Sequence, residues 1–165
     1  MKRLHTADTT VVSDFYHHYH EDIKLMKECG LKSFRFSISW AIIFPNGNGQ
    51  INQKEIDFYN DAINELIRND IVPIITLLHF DLPQGLIDQY KGFVSRQCIE
   101  DFVNCARVCF ESYDDRVSCW LTIDKQDVIA NIPLFNGLID IKESVQANYH
   151  MNIVNALVRM KQSTL

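Results

Sequence analysis

Residues 117–126 read VSCWLTIDKQ, an apolar run of strand-forming residues that breaks off into three polar ones. A parallel strand covered on both faces reads as a near-continuous apolar run, and α/β folds keep their chemistry just past its carboxyl end. Asp124, Lys125 and Gln126 are therefore the first residues to watch. Two earlier stretches have the same character. Residues 71–80, IVPIITLLHF, are almost continuously apolar, tolerate Pro73 near the start, and give way to His79 and Asp81 where a strand should end. Residues 33–40, SFRFSISW, alternate strictly, which puts Phe34, Phe36, Ile38 and Trp40 on one face and Arg35, Ser37 and Ser39 on the other.

Helical patterns fill the intervals. Ser13 is a candidate N-cap for a helix to Cys29, with Tyr16, Tyr19, Ile23 and Met26 on one face, Gly30 as its stop, and Glu21 and Asp22 solvated. FPNGNG makes a turn, and Asn52 with Glu55 forms a capping-box-like start to a helix through Asn69. A loop through Gly92 leads to Ser95, which can cap a helix carrying Ile99, Phe102, Val103, Ala106 and Phe110. Beyond the 117–123 strand, residues 126–140 read as irregular. Asp140 and Glu143 then open a last helix, with Val145, Tyr149, Ile153, Leu157 and Met160 expected inward.

Helix and strand thus alternate, which predicts an α/β fold with a parallel sheet and right-handed crossovers. Three strands leave two unpaired edges, so the count points to part of something larger, with a homo-oligomer or a complementing chain covering the edges. The chain of 165 residues, 47% apolar, suffices for one domain core. Its 21 acidic and 16 basic residues are spread along it, so no basic patch predicts binding to nucleic acid or an anionic membrane. Five cysteines without a C-x-x-C pair, and no apolar leader in MKRLHTADTTVV, predict a reduced, cytoplasmic protein. Cys98, Cys105 and Cys109 share helical spacing and read as small buried thiols rather than a metal site. No cofactor or metal is expected.

Three blocks, FYHHYHEDIKLMKECGLKSFRFSISWAIIFPNGNG, LLHFDLPQGL and CWLTIDKQ, resemble in wording, order and spacing those of glycoside hydrolase family 1, the retaining β-glucosidases and 6-phospho-β-glycosidases. The resemblance runs from about residue 8 to about residue 160. It implies a partial (β/α)8 TIM barrel, of which this chain holds three parallel strands and four helices, from the first barrel helix through the fourth; family members are typically well over twice this length. HFD followed by GFVSR is similar to the 6-phospho branch.

A retaining glycosidase needs two carboxyl groups about 5–5.5 Å apart, one as acid/base and one as nucleophile. The resemblance places Lys125 at the acid/base glutamate, where a cation is a poor substitute, and the T-E-N-G block that carries the nucleophile does not occur in this sequence. It also matches Arg35 to the arginine beside the nucleophile and His79 to the histidine that holds sugar hydroxyls. Phe80 stands where many glucosidases have tryptophan, as a stacking platform or a core filler. Asp124 replaces the asparagine that bonds the sugar 2-hydroxyl, keeping an acceptor and losing a donor, and reads with Lys125 as an exposed ion pair. Ile42 departs from the family arginine, and Trp120 reads as core. The expected function is that of a non-hydrolytic relative of β-glycosidases. The alternatives are half of a split β-glucosidase or 6-phospho-β-glucosidase completed by another chain, and a sugar-binding module. The ligand implied is a β-glucoside or 6-phospho-β-glucoside.

Overall fold

The three apolar runs pair side by side as a parallel sheet in the order β1-β2-β3, formed by Ser33–Ser37, Val72–Leu78 and Cys119–Ile123. This is a computed structural model, and the residues it describes are 14–162. Register sets Phe36 beside Ile75 and Ile75 beside Trp120, while Ser37, Thr76 and Leu121 line up one level on. Side chains alternate across a strand, so the phenylalanines of β1 share one face and Arg35 and Ser37 the other. Helices cover the phenylalanine face. Phe34 meets Phe15 at 5.8 Å between ring centroids, and Phe36 stacks on Tyr59 at 6.3 Å.

The helices are α1 (Phe15–Glu28), α2 (Trp40–Ile43), α3 (Gln53–Arg68), α4 (Gln84–Tyr90), α5 (Gln97–Tyr113), α6 (Gln126–Phe135) and α7 (Ile141–Gln162), with a 3-10 turn at Gly92–Val94. The four long ones, α1, α3, α5 and α7, are those the periodicity predicts. The main core gathers Trp40, Phe93, Phe102, Phe110 and Tyr113 with Ile75 and Leu78, and a smaller cluster of Ile23, Leu66 and Ile71 ties α1 to α3. Trp40 is fully buried and donates its indole N–H to the Gly47 carbonyl at 2.9 Å. Gly47 has φ 85°, and a Cβ there would lie 2.2 Å from Leu86 Cγ, so the FPNGNG turn requires glycine at this point.

Several boundaries differ from expectation. The first strand ends at Ser37 rather than Trp40: Ile38 N–H makes a last bond to the Thr76 carbonyl, and the Ser39 carbonyl then accepts from Ile42 and Ile43, winding Trp40 into α2. Asn52 does precede α3, but it forms no side-chain cap; its N–H instead bonds the Ile43 carbonyl at 2.8 Å. Ser13 lies outside the described residues. Ser95 Oγ accepts from the Gln97 N–H at 3.2 Å at the start of α5, and the loop before it contains α4.

Residues 126–135 are helical rather than irregular. Pro133 suggests a break, but it falls near the end of a ten-residue helix and removes one backbone donor. The inward face of α7 is also different. Ala147, His150, Met151, Val154 and Val158 are buried, whereas Val145, Tyr149 and Met160 are 64%, 57% and 68% exposed. Small and hydrogen-bonded residues decide this. Ser144 Oγ donates to the Ala130 carbonyl at 3.1 Å, and His150 Nδ1 lies 2.9 Å from the Phe93 carbonyl. The capping box itself forms as predicted, with Asp140 N–H on Glu143 Oε2 at 3.0 Å and Glu143 N–H on Asp140 Oδ1 at 2.8 Å.

Cys98, Cys105 and Cys109 are buried and unbridged on α5. Burial pushes the Cys98 and Cys105 thiols well above the ordinary thiol range, which removes them as nucleophiles. Among the described residues no helix is long and apolar enough to cross a membrane, and no group of three or more His, Cys, Asp or Glu is placed to hold a metal ion.

Candidate functional site

Parallel strands bring their carboxyl ends to one side, and there the chain places Arg35 from β1, His79 and Phe80 after β2, and Asp124 and Lys125 after β3. Asp124 is fixed first. Its N–H donates to the Leu78 carbonyl at 3.0 Å, which continues the β2–β3 ladder one residue past the strand. Its carboxylate then meets Arg35, whose Nη1 donates to Oδ2 at 3.0 Å, and His79, whose Nε2 lies 3.4 Å from the same oxygen. Arg35 therefore reaches across the end of the central strand from one edge of the sheet to the other.

Lys125 does not pair with Asp124. Lys125 lies past the end of β3 and is left-handed at φ 51°, which carries its Nζ to 5.9 Å from the Phe80 ring centroid, within cation–π range. Phe80 is left-handed too, at φ 73°, and its ring lies 5.1 Å from that of His79. Left-handed non-glycine residues at the ends of two adjacent strands turn the chain sharply out of the sheet. Phe80 is 43% exposed, so it is a surface platform and not a core filler. All five residues singled out in the sequence thus form one cluster at the strand ends.

The Arg35 hydrogen bond holds the Asp124 carboxyl below the usual carboxylate range, and the nearby charges of Arg35, His79 and Lys125 pull in the same direction. The cluster therefore offers an ionised acceptor, guanidinium and imidazole donors, an ammonium and an aromatic face. Those groups suit a polyhydroxylated ring.

Two further residues support the cluster. Asp81 Oδ1 accepts the His79 N–H at 3.3 Å, and its Oδ2 is buried without a partner among the described residues. The signal was present in the H-F-D spacing, which lets an aspartate cap the backbone two residues before it. Gln126 anchors α6 to α7: its Nε2 donates to Asn148 Oδ1 at 2.8 Å, and Asn155 Nδ2 donates to its Oε1 at 2.7 Å. No local pattern in the sequence announces that contact. Trp120, read as core, is half-buried, edge-on to Phe110 at 4.9 Å, with its indole N–H on Asp114 Oδ1 at 2.9 Å. Ile42, at a position where the family resemblance expects arginine, is 45% exposed.

Similarity to known proteins is consistent along the chain. Residues 1–160 match Glycosyl hydrolase family 1. The 4-hydroxy-7-methoxy-3-oxo-3,4-dihydro-2H-1,4-benzoxazin-2-yl glucoside beta-D-glucosidase 1d, chloroplastic, of Triticum aestivum is 50% identical over 115 residues, 70% of this chain and 20% of that protein. Beta-glucosidase 10 of Arabidopsis thaliana is 51% identical over 120 residues, 73% of this chain and 24% of that one. Among solved structures, the beta-glucosidase from Thermotoga maritima in complex with glucoimidazole superposes with a TM-score of 0.86 at 35% identity, covering 90% of this chain and 34% of its own. The chain spans about a fifth to a quarter of the length of these curated relatives. Its three parallel strands and flanking helices are part of the (β/α) barrel seen in those glucosidases, and the chain belongs to glycosyl hydrolase family 1.

Proposed function

We propose that this chain is a non-hydrolytic relative of the retaining β-glycosidases that keeps a sugar-facing site at its strand ends. The observation that carries this reading is the state of Asp124. It is ion-paired to Arg35 and its pKa is lowered, the opposite of what a general acid needs. Lys125, at the position the family resemblance assigns to the acid/base, is a cation and a poor substitute for a carboxylic acid there. Arg35, His79, Phe80 and Asp124 are the residues proposed to meet a β-glucoside or 6-phospho-β-glucoside. Purified chain incubated with an activated aryl β-glucoside is expected to give no turnover, and release of the aryl group would overturn the reading. Calorimetry with glucose, cellobiose and their 6-phosphates tests sugar contact separately, and no binding by any of them would remove it.

A second reading has one observation in its favour. The free edge of β3 borders a groove of about 470 Å³ lined by Trp120, Thr122, Phe110, Asn155 and Val158, space in which a further strand would fit. A second chain supplying that strand would make this one half of a split β-glucosidase or 6-phospho-β-glucosidase. Lys125 weighs against it, because the completed site would still have an ammonium at the acid position. Turnover on mixing with a chain that carries a T-E-N-G strand would establish it.

A further inference from the structure

We propose that the strand-end cluster selects a sugar bearing a carboxylate, its ring laid on Phe80 and its carboxylate on the Lys125 ammonium; the proposal rests on the sugar-facing reading above. The charge arrangement at the strand ends is the reason. Asp124 already neutralises Arg35 at 3.0 Å and lies 3.4 Å from the His79 imidazole, so the guanidinium is not left facing an empty side. Lys125 is exposed and makes no ion pair among the described residues; its Nζ lies 5.9 Å from the Phe80 ring centroid. Of the nearby acids, Asp124 feels the Lys125 charge but spends its ion pair on Arg35, Asp81 turns one oxygen to the His79 backbone and buries the other, and Asp127, in the first turn of α6, forms no ion pair with Lys125 among the described residues.

An exposed ammonium without a salt bridge among the described residues, beside an aromatic ring that is 43% exposed, is complementary to a singly charged carboxylate carried on a ring whose C–H groups can rest on that aromatic ring. A phosphate dianion asks for more donors than one lysine supplies, and Arg35, the group best shaped for it, is committed to Asp124. A neutral glycoside leaves the ammonium unanswered. The selectivity expected is modest because the ammonium is exposed.

Calorimetry on the purified chain compares methyl β-D-glucuronide with methyl β-D-glucoside, which differ only in the carboxylate, and adds glucose 6-phosphate as a third arm. The glucuronide is expected to bind about fivefold tighter than the glucoside at low ionic strength. The preference should collapse toward unity in about 0.5 M salt, and in Lys125→Gln and Lys125→Met, each checked for an unchanged circular dichroism spectrum. Equal binding of the two methyl glycosides, a preference that survives Lys125→Gln, or glucose 6-phosphate as the tightest ligand would each overturn the proposal while leaving a sugar-binding site in place. Absence of binding by all three would remove the sugar-facing reading and this inference together.

Discussion

At the scale of single residues the decisive contact is Arg35 with Asp124. The folded carboxyl has a lowered pKa, so the pair contributes stability that is fully present above the ordinary aspartate range and is lost as pH falls through the folded value. Both groups are partly solvated, which screens the pair. Carbon-13 chemical shifts should therefore show Asp124 titrating below a free aspartate, and Arg35→Met should raise that midpoint; a midpoint unmoved by the substitution would show that the arginine is not the cause. Lys125 gives the second prediction at this scale. Lys125→Glu alone should produce no measurable β-glucosidase turnover, because a retaining mechanism needs a second, free carboxylate as nucleophile, and the carboxylate already in the cluster, Asp124, is ion-paired to Arg35. Any gain in release from an activated aryl β-glucoside would refute this.

At the scale of elements, α7 shows how a local pattern is outvoted. The helix carries apolar residues on more than one side, and the bulkier set, Val145, Tyr149 and Met160, is the exposed one. Ala147 is small and buried, Ser144 is answered by the Ala130 carbonyl of α6, and the buried His150 by the Phe93 carbonyl of the 3-10 turn. Met151→Ala should therefore cost about 2–4 kcal/mol in urea unfolding, while Val145→Ala should stay within about 0.5 kcal/mol. The reverse ranking would restore the face read from periodicity. Trp40 is the corresponding point at the end of β1. Fully buried and hydrogen-bonded to Gly47, it should cost about 3–5 kcal/mol when replaced by alanine, read by the same unfolding measurement. The elements legible beforehand were the long periodic ones, α1, α3, α5, α7 and the three strands. The short helices α2, α4 and α6 were not legible, because each depends on what its neighbours bond rather than on its own pattern.

At the scale of the whole molecule, β1 and β3 are edge strands among the described residues, and on the face opposite the phenylalanines Ile74 and Leu121 are half-buried and Cys119 is exposed. Edge strands with an apolar flank invite pairing. Light scattering after size exclusion is expected to show a dimer or larger assembly, and a compact, protease-resistant monomer would contradict that expectation. The sequence by itself determined the parallel α/β order and the polar residues that end each strand, because strand alternation and apolar runs are local properties read one segment at a time. It also placed His79, Phe80, Asp124 and Lys125 at strand ends and Arg35 on the polar face of the first strand, and parallel strands bring those ends together. Only the tertiary structure decided that Asp124 pairs with Arg35 and His79 and not with Lys125, that Phe80 is open to solvent, and which face α7 buries. Those outcomes turn on contacts between residues far apart in the chain, where register, the left-handed turn at Lys125 and the closeness of helix packing choose among partners that local pattern leaves equivalent.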